Sequence, residues 1–253
     1  MRVVKGQSLK PPRIFLYGTE GIGKTTFASH APAPIFIPTE DGLASIDCDH
    51  FPIAQSYEEV LNCLQELCTE KHSYMTVVID SADWLEALIW NYLCRIHRVS
   101  NIEKVGGGFA KGYIFALDKW REILQALDYL RDQKSMITIF IAHSKIERFE
   151  DPFVSAYDRY APRLNKHASS LLCEWADVVL FANRKFLTQK EDLGFGQVRV
   201  IAHQIGDDSE SRILQTVGSP ACVAKNRYGL PPELPLSWQV FWSYMPHSKK
   251  ERS

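Results

Sequence analysis

The chain lacks three features that would place it in a specialised class of protein. Its six cysteines contain no Cys-x-x-Cys pair, so we expect reduced thiols rather than a disulfide framework or a zinc site. Its net charge of −1 excludes a global basic field that would attract nucleic acid. No apolar run is long enough to cross a bilayer, so we expect no membrane partner and a cytoplasmic location.

The chain also has no low-complexity linker and no internal repeat, so residues 1–253 are expected to form a single domain. We expect residues 1–12 to be an irregular lead-in and residues 243–253 a flexible tail. Apolar runs predict strands at 13–17, 35–37, 75–79, 136–142, 177–182, 197–203 and 211–217. Helical periodicity predicts helices that begin near Thr25 and after Ser56, and others over 84–96 and 117–130. This alternation predicts an α/β fold with a mostly parallel sheet and antiparallel strands in the last third.

A glycine-bearing turn follows the first predicted strand and matches the pattern G-x-x-x-x-G-K-[ST]. Its residues are Gly18, Thr19, Glu20, Gly21, Ile22, Gly23, Lys24, Thr25 and Thr26. The strand before it and the helix after it favour a phosphate-binding loop over a chance glycine turn. The cofactors expected are ATP, with Lys24 on its β- and γ-phosphates, and Mg²⁺, with the Thr25 hydroxyl as a ligand.

A second acidic group is expected beside the metal. Asp80 directly follows the β-branched run 76–79, so it should lie at the carboxyl end of a buried strand, where open α/β sheets bind ligands. A carboxylate there can hold Mg²⁺ through water. The alternative is a cap for the following helix, although Ser81 or Asp83 could fill that role.

The catalytic base is harder to identify from the sequence than the phosphate-binding and metal-binding residues. Many ATP-driven motors have a glutamate directly after the aspartate that corresponds to Asp80, but this chain has Ser81 there. Glu40 and Asp41 follow the second predicted strand, and a carboxylate at the end of that strand can orient an attacking water. We therefore predict Glu40 as the base and interpret Asp41 as a turn or cap residue.

Several motifs together give the chain a family resemblance. "GKTTFA", "IPTEDGL", "IDSADWLE", "FIAHS", "YDRY", "EWADVVLFAN" and "VAKNRYGLP" occur in this order between Arg13 and about Trp242. They resemble the RecA-like recombinase ATPases, and in particular a phage-encoded ATP-binding family of minimal RecA-like recombination proteins. The resemblance implies a RecA-like ATPase core and a bacterial host cell, with Glu40 as the catalytic glutamate.

The same resemblance assigns roles to three more residues. His143 stands where the family has a phosphate-sensing glutamine, and an imidazole there would make sensing depend on pH. A buried histidine with satisfied hydrogen bonds is the alternative. Lys225 and Arg227, in the late basic motif, are implied to reach the ATP of a neighbouring subunit. A homo-oligomer is therefore implied, and a ring and a short filament are equally open because residues 1–12 show no clear polymerisation peptide.

Two loops, 99–112 and 144–166, correspond to the family's single-stranded DNA loops. The candidate DNA-binding residues are Lys104, Phe109, Lys111, Lys145, Arg148, Arg159, Arg163 and Lys166. Basic side chains bind phosphates and aromatic rings stack on bases. The second loop also carries four acidic residues, so a loop that pairs its own charges, or a subunit contact, is an equal alternative on charge alone. The resemblance favours DNA.

Three functions follow from these features. The first is an ATP-dependent single-stranded DNA-binding protein of recombination, annealing or repair, with a single-strand-binding protein as a further candidate partner. The second is an assembly or scaffold ATPase that changes state without DNA. The third, a small-molecule kinase, would need an arginine-rich lid and an acceptor pocket, and the sequence identifies neither.

Overall fold

A computed structural model of the protein describes residues 9–192, 198–204 and 211–246. The predicted lead-in and tail lie partly outside these ranges, at 1–8 and 247–253. Residues 9–12 have no regular secondary structure, and residues 243–244 are the last two of a helix. Within the described ranges, no helix combines the length and apolar character that crossing a membrane requires.

The elements alternate along the chain as the sequence predicts. The helices are α1 (Lys24–Ser29), α2 (Tyr57–Thr69), α3 (Ala82–His97), α4 (Lys111–Gln133), α5 (Lys166–Trp175) and α6 (Trp238–Tyr244). The strands are β1 (Arg13–Gly18), β2 (Pro34–Pro38), β3 (Asp49–His50), β4 (Thr76–Asp80), β5 (Ile137–Phe149), β6 (Tyr157–Pro162), β7 (Val178–Arg184), β8 (Phe186–Asp192), β9 (Val198–Gln204), β10 (Arg212–Gln215), β11 (Lys225–Asn226) and β12 (Glu233–Pro235). A 3₁₀ segment, Ile102–Gly107, precedes α4.

The main sheet has the order β12-β10-β7-β1-β5-β4-β2-β3, and the six strands from β7 to β3 are parallel. β10 and β12 extend one side of it as antiparallel strands, and the short β11 pairs antiparallel with β7. β8 and β9 form a separate antiparallel pair. The predicted α/β fold class, with antiparallel strands in the last third, is confirmed.

The sheet separates two apolar cores, because successive residues of a strand point to opposite faces. In β1, Phe15 and Tyr17 pack on the face that is covered by α2 to α5. Ile14 and Leu16 pack on the other face, against α1 and α6. All four side chains have no exposed surface. The apolar runs of the central strands are therefore continuous because both faces are buried.

The segment 144–163, in which the sequence shows no clear period, is a β-hairpin. β5 continues to Phe149, well beyond the predicted end at residue 142, and pairs antiparallel with β6 from Ser144↔Pro162 to Phe149↔Tyr157. Helix α5 then begins at Lys166 and was also missed. Charged and aromatic residues alternate along the hairpin because much of its surface is solvated, so it lacks the apolar run that marks a buried strand.

The strand register shows which residues lie together at the carboxyl ends of the parallel strands. Gly18, the last residue of β1, lies beside His143 of β5, and Pro38 of β2 lies beside Asp80 of β4. The segments that follow these strands therefore meet at one edge, where ligands of open parallel sheets bind.

Candidate functional site

The glycine-bearing turn closes over the end of β1. A Cβ atom on Gly18 would lie 2.3 Å from the carbonyl oxygen of Ala182, so only glycine allows β1 and β7 to approach here. Gly23 has a φ of 106°, in the left-handed region, immediately before α1. The Lys24 ammonium folds back over the loop and donates to the carbonyls of Gly18 at 3.1 Å and Thr19 at 2.8 Å. Burial lowers the pKa of Lys24, although nearby acids oppose this.

Thr25 and Asp80 are in direct contact. The Thr25 hydroxyl donates to Oδ2 of Asp80 at 2.8 Å. Burial, together with the charge of Glu40, raises the pKa of Asp80 to about 6, against the hydrogen bond from Thr25 and the charge of Lys24. Burying two carboxylates together is unfavourable unless a cation compensates them. A hydroxyl and carboxylates are the hard oxygen ligands that Mg²⁺ prefers, so the residues here fit that ion.

Glu40 faces the same cavity. The cavity has a volume of ≈ 310 Å³, and its walls include Lys24, Thr25, Glu40, Asp80, His143 and Arg212. The carboxylate of Glu40 lies 3.9 Å from Nδ1 of His143. The structure thus brings together the two predicted phosphate and metal residues of the loop, the acid of β4, the predicted base and the predicted sensor.

Thr39, which the sequence did not single out, fixes the position of Glu40. Its hydroxyl donates to the Ser81 carbonyl at 2.8 Å and accepts from the Ser81 backbone N–H at 2.8 Å. Its own N–H donates to the carbonyl of Asp80 at 2.8 Å. These three bonds join the ends of β2 and β4, so the carboxylates of Glu40 and Asp80 are held on the same side of the cavity.

His143 is anchored by Asp83, whose role was also missed. Asp83 is in the first turn of α3 and accepts a hydrogen bond from the backbone N–H of His143 at 3.0 Å, and its carboxylate also lies 3.0 Å from Nδ1 of that histidine. Arg163 donates to the same carboxylate at 2.7 and 3.1 Å, and its other nitrogen lies 3.4 Å from Glu20 of the loop. Burial opposes ionisation of Asp83, but hydrogen bonds from His143 and Arg163 hold the pKa of Asp83 below its ordinary value.

Lys225 and Arg227 lie at the other edge of the sheet, where the parallel strands begin. Lys225 is beside Val179 in the register of β11 and β7. Its ammonium donates to three carbonyls at the carboxyl end of α5: those of Cys173 at 2.9 Å, Glu174 at 2.8 Å and Ala176 at 2.7 Å. Neither residue lines the cavity of its own chain.

Arg227 contacts a buried acid at that edge. Its Nη1 lies 3.2 Å from Asp177, whose side chain is only 8% exposed and also pairs with Arg13 and Arg131. The side chain of Arg227 is 51% exposed. The predicted role in a neighbouring subunit's site therefore stays a prediction, and Arg227 is the more accessible of the two candidates.

The candidate DNA residues are divided between four environments. In the first loop, Phe109 is 94% exposed, Lys104 bonds the Ser100 hydroxyl at 3.2 Å, and Lys111 begins α4. Arg163 belongs to the cavity network, and Lys166 begins α5. The other three lie on the hairpin, where Arg159 and Arg148 contact acidic groups of the hairpin itself and Lys145 contacts the segment that follows it. Arg159 bonds Glu147 at 2.9 Å, Arg148 lies 3.8 Å from Asp158, and Lys145 donates to the Leu164 carbonyl at 2.8 Å.

Arg212 lines the cavity but belongs to none of the sequence motifs. It begins β10, and its Nη1 is 3.2 Å from where a Cβ atom of Gly23 would be. The sequence predicts a strand over 211–217 but contains no signal that places it beside the loop of residues 18–26. That proximity arises only from the pairing of β10 with β7, the neighbour of β1.

The sequence is similar to one protein family and to one curated protein. Residues 10–228 match the model of a family described as an AAA domain. The SPbeta prophage-derived uncharacterized protein YorG of Bacillus subtilis (strain 168) is 24% identical over 182 residues, which are 70% of this chain and 52% of that protein. The chain thus spans about half the length of this curated relative.

A solved structure is similar at low sequence identity. The crystal structure of the RadB recombinase is similar with a TM-score of 0.42 and 13% identity, over 82% of this chain and 89% of that chain. A likeness at this level says nothing about the function of the chain.

Proposed function

Because the chain belongs to the AAA domain family, whose match contains the whole loop of residues 18–26, we propose that it is an ATPase that acts on single-stranded DNA. The biological setting would be recombination, annealing or repair. One observation carries the proposal: Lys24, Thr25, Asp80, Glu40 and His143 line a single cavity. These are the groups that phosphoryl transfer to water requires, namely a phosphate cradle, oxygen ligands for a metal, and a base.

Each group has a defined part in ATP hydrolysis. The backbone N–H groups of the loop and the Lys24 ammonium bind the phosphates. Thr25 and Asp80 would hold Mg²⁺, which supplies positive charge to the phosphate oxygens when it is bound. Glu40 orients the attacking water and accepts its proton. Catalysis in such sites comes mostly from positioning and electrostatic stabilisation, so the Thr39 bonds that fix Glu40 contribute directly to the rate.

The proposed DNA contact is the hairpin of β5 and β6. β5 passes without a break from His143, in the cavity wall, to Phe149 in the hairpin. Nucleotide-dependent movement at His143 would therefore reach the hairpin along one strand. Phe153, between the two hairpin strands, is 93% exposed and offers a ring on which a base can stack. The order of motifs shared with RecA-like recombination proteins supports DNA as the ligand.

The active assembly is proposed to be a homo-oligomer with ATP at the subunit interface. Arg227, and with it Lys225, would approach the nucleotide of a neighbouring copy, since neither lines the cavity of its own chain. A ring and a short filament both allow this contact. A single-strand-binding protein is a further proposed partner. The prophage-derived name of the Bacillus subtilis relative supports a bacterial cytoplasm as the setting.

One observation favours a second function, a nucleotide-dependent scaffold that does not bind DNA. Arg159 and Arg148 of the hairpin pair with Glu147 and Asp158 of the same hairpin. A basic side chain that already pairs with a carboxylate gains less free energy from binding a DNA phosphate than an unpaired side chain does. In that case the hairpin would contact a protein, and the exposed Phe153 would be part of the contact.

The two functions differ in how hydrolysis responds to DNA. ATP turnover is measured with and without single-stranded DNA over a range of protein concentrations, together with DNA binding in the presence of ATP. We expect DNA to bind and to accelerate turnover, and turnover per chain to rise with protein concentration. If DNA neither binds nor changes turnover, the scaffold function replaces the DNA function.

The role of Glu40 has a separate test. Glu40→Gln should leave ATP binding intact and lower turnover by about 10²–10⁴-fold, because the amide cannot accept a proton from water. Asp41→Asn is the matched control, since Asp41 is the exposed neighbour of Glu40, and should keep its activity. Equal turnover of Glu40→Gln and the wild type would remove Glu40 from the mechanism.

A further inference from the structure

Arg212 lies where two cavities meet. The first is the ≈ 310 Å³ cavity of Lys24 and Asp80, and the second, with a volume of ≈ 190 Å³, lies between α1 and the start of α6. The two cavities share three residues: Gly23, Thr26 and Arg212. A ligand that fills both cavities would therefore pass the guanidinium of Arg212.

The groups that line the first cavity indicate which end of it would hold the γ-phosphate. Lys24 and the Thr25 hydroxyl contact the β- and γ-phosphates and their metal in a loop of this type. Glu40, Asp80 and His143 therefore mark the γ-phosphate end. A third cavity shares Glu40, Gly42, Leu43 and Ile46 with the first, so it adjoins the end that Glu40 marks. The second cavity contains none of the three groups that mark the γ-phosphate end and adjoins the first at Thr26 and Arg212, so it is the side on which the sugar and the base would lie.

The second cavity has the composition that a base requires. Its floor is aromatic: the rings of Phe27 and Trp238 are 5.3 Å apart and both side chains are buried. Its rim carries the exposed polar residues His30 and Gln239. Apolar walls with a few polar groups at the edge are typical of ligand sites, in which the polar groups fix the orientation of the ligand.

We infer that Arg212 binds the nucleotide of its own chain where the phosphates join the sugar, and that the second cavity holds the sugar and base. The inference rests on the proposed ATPase function and adds a residue and a subsite to it. A guanidinium presents several donors in a planar fork that matches phosphate oxygens. It can therefore bind phosphate from β10 without any contribution from a neighbouring chain, unlike Arg227.

Substitution of Arg212 tests the phosphate contact. Binding of ATP and of inorganic tripolyphosphate is measured by calorimetry with Mg²⁺ present. Arg212→Gln should weaken both ligands by about 10- to 100-fold, since a hydrogen-bonded charge is lost. Arg184→Gln is the matched control: Arg184 is the register partner of Arg212 on β7 and is absent from the walls of both cavities. If Arg212→Gln lowers the unfolding temperature, Arg212→Lys, which keeps the charge without the fork, takes its place and should give a smaller loss.

A steric variant tests the base subsite. Gln239 is exposed on the rim, so Gln239→Trp should fold normally and narrow the second cavity. We expect it to weaken ATP by about 10-fold or more and to leave tripolyphosphate unchanged, because only ATP carries a base. ATP binding by both variants at wild-type strength would overturn the inference and leave the ATPase proposal standing. Failure of the wild type to bind ATP would instead overturn the ATPase proposal itself.

Discussion

Glu86 is a buried carboxylate outside the nucleotide cavity. It lies on α3, is 5% exposed, and accepts the backbone N–H of Asn165 on its two oxygens at 2.9 and 3.1 Å. Burial raises the pKa of Glu86 to about 7, against the Asn165 hydrogen bond and the charge of Lys145. The contact joins α3 to the residue that caps α5, so the charge of Glu86 affects how these two helices are held together.

The titration of Glu86 makes stability depend on pH. The ordinary pKa is 4.5, so between about 4.5 and 7 the unfolded chain has lost this proton while the folded chain keeps it. Stability from this group is therefore present at low pH, falls as pH rises through that window, and stays low above about 7. Glu86→Gln removes the titration and should stabilise the protein at pH 8 by on the order of 1–3 kcal/mol.

Urea unfolding at pH 5, 6, 7 and 8 measures this effect. Glu66→Gln is the control for the substitution itself, because it replaces an exposed glutamate of α2. A wild-type slope that persists in Glu86→Gln would show that another group is responsible.

Single residues were predictable where the chemistry follows from the position in a motif. The positions of Asp80 and Glu40 could be predicted from the ends of apolar strands, and those of Lys24 and Thr25 from the glycine-bearing motif, although their roles stay predictions. Asp83 was interpreted only as a helix cap because a carboxylate in the first turn of a helix is common whatever it contacts. Its contact with His143 joins residues 60 positions apart, and no local pattern encodes that distance.

At the scale of elements, burial decided what could be predicted. β1, β2 and β4 are apolar along their length and buried on both faces, so their bounds differ from prediction by one or two residues. The hairpin of β5 and β6 and helix α5 escaped prediction because polar residues interrupt them. Arg163 illustrates the consequence: a DNA role was expected in a loop, but the hairpin brings the side chain back to the cavity.

Helix α5 shows how a candidate functional residue can also be structural. The ammonium of Lys225 donates to three carbonyls at the carboxyl end of α5. Such carbonyls have no partner within their own helix, and a cation near them also interacts favourably with the helix dipole. Burial lowers the pKa of Lys225, and the charge of Arg227 adds to this effect.

Substitution of Lys225 should therefore reduce stability. Lys225→Met keeps the length of the side chain but removes the three donors, and we expect a loss of about 1–3 kcal/mol in the free energy of unfolding. Arg227→Gln, in the same segment, removes a half-exposed partner of Asp177 that Arg13 and Arg131 also neutralise, so its loss should be smaller. Urea midpoints compare the two, and a stability of Lys225→Met equal to the wild type would disprove the capping role.

At the scale of the whole molecule, candidate basic residues of the ATP site lie at two opposite edges of the parallel sheet. The carboxyl ends of its strands carry Lys24 and the nucleotide cavity, and the opposite edge carries Arg227 with Asp177. One chain cannot bring Arg227 to its own cavity without dismantling the sheet. A second copy, stacked head to tail, can do so, and such heterologous contacts close into rings or extend as filaments.

A mixing experiment distinguishes this arrangement from a site that is complete in one chain. Lys24→Ala removes the phosphate contact and Arg227→Ala removes the proposed contribution to the neighbour, so each variant alone should hydrolyse ATP slowly. In an equal mixture, random association places an intact cavity beside an intact Arg227 at about a quarter of the interfaces, and turnover should recover to that extent.

The double variant Lys24→Ala, Arg227→Ala is the control for the mixture. It can still assemble with Arg227→Ala, but it offers no Arg227 to the neighbour, so turnover should not recover. Full activity of Arg227→Ala alone would show that the nucleotide cavity works without Arg227. A mixture no faster than its two components would show that Arg227 does not act in the cavity of a neighbouring chain. In that case the positive charge beside the phosphates would have to come from the chain itself, where Arg212 already lies against Gly23.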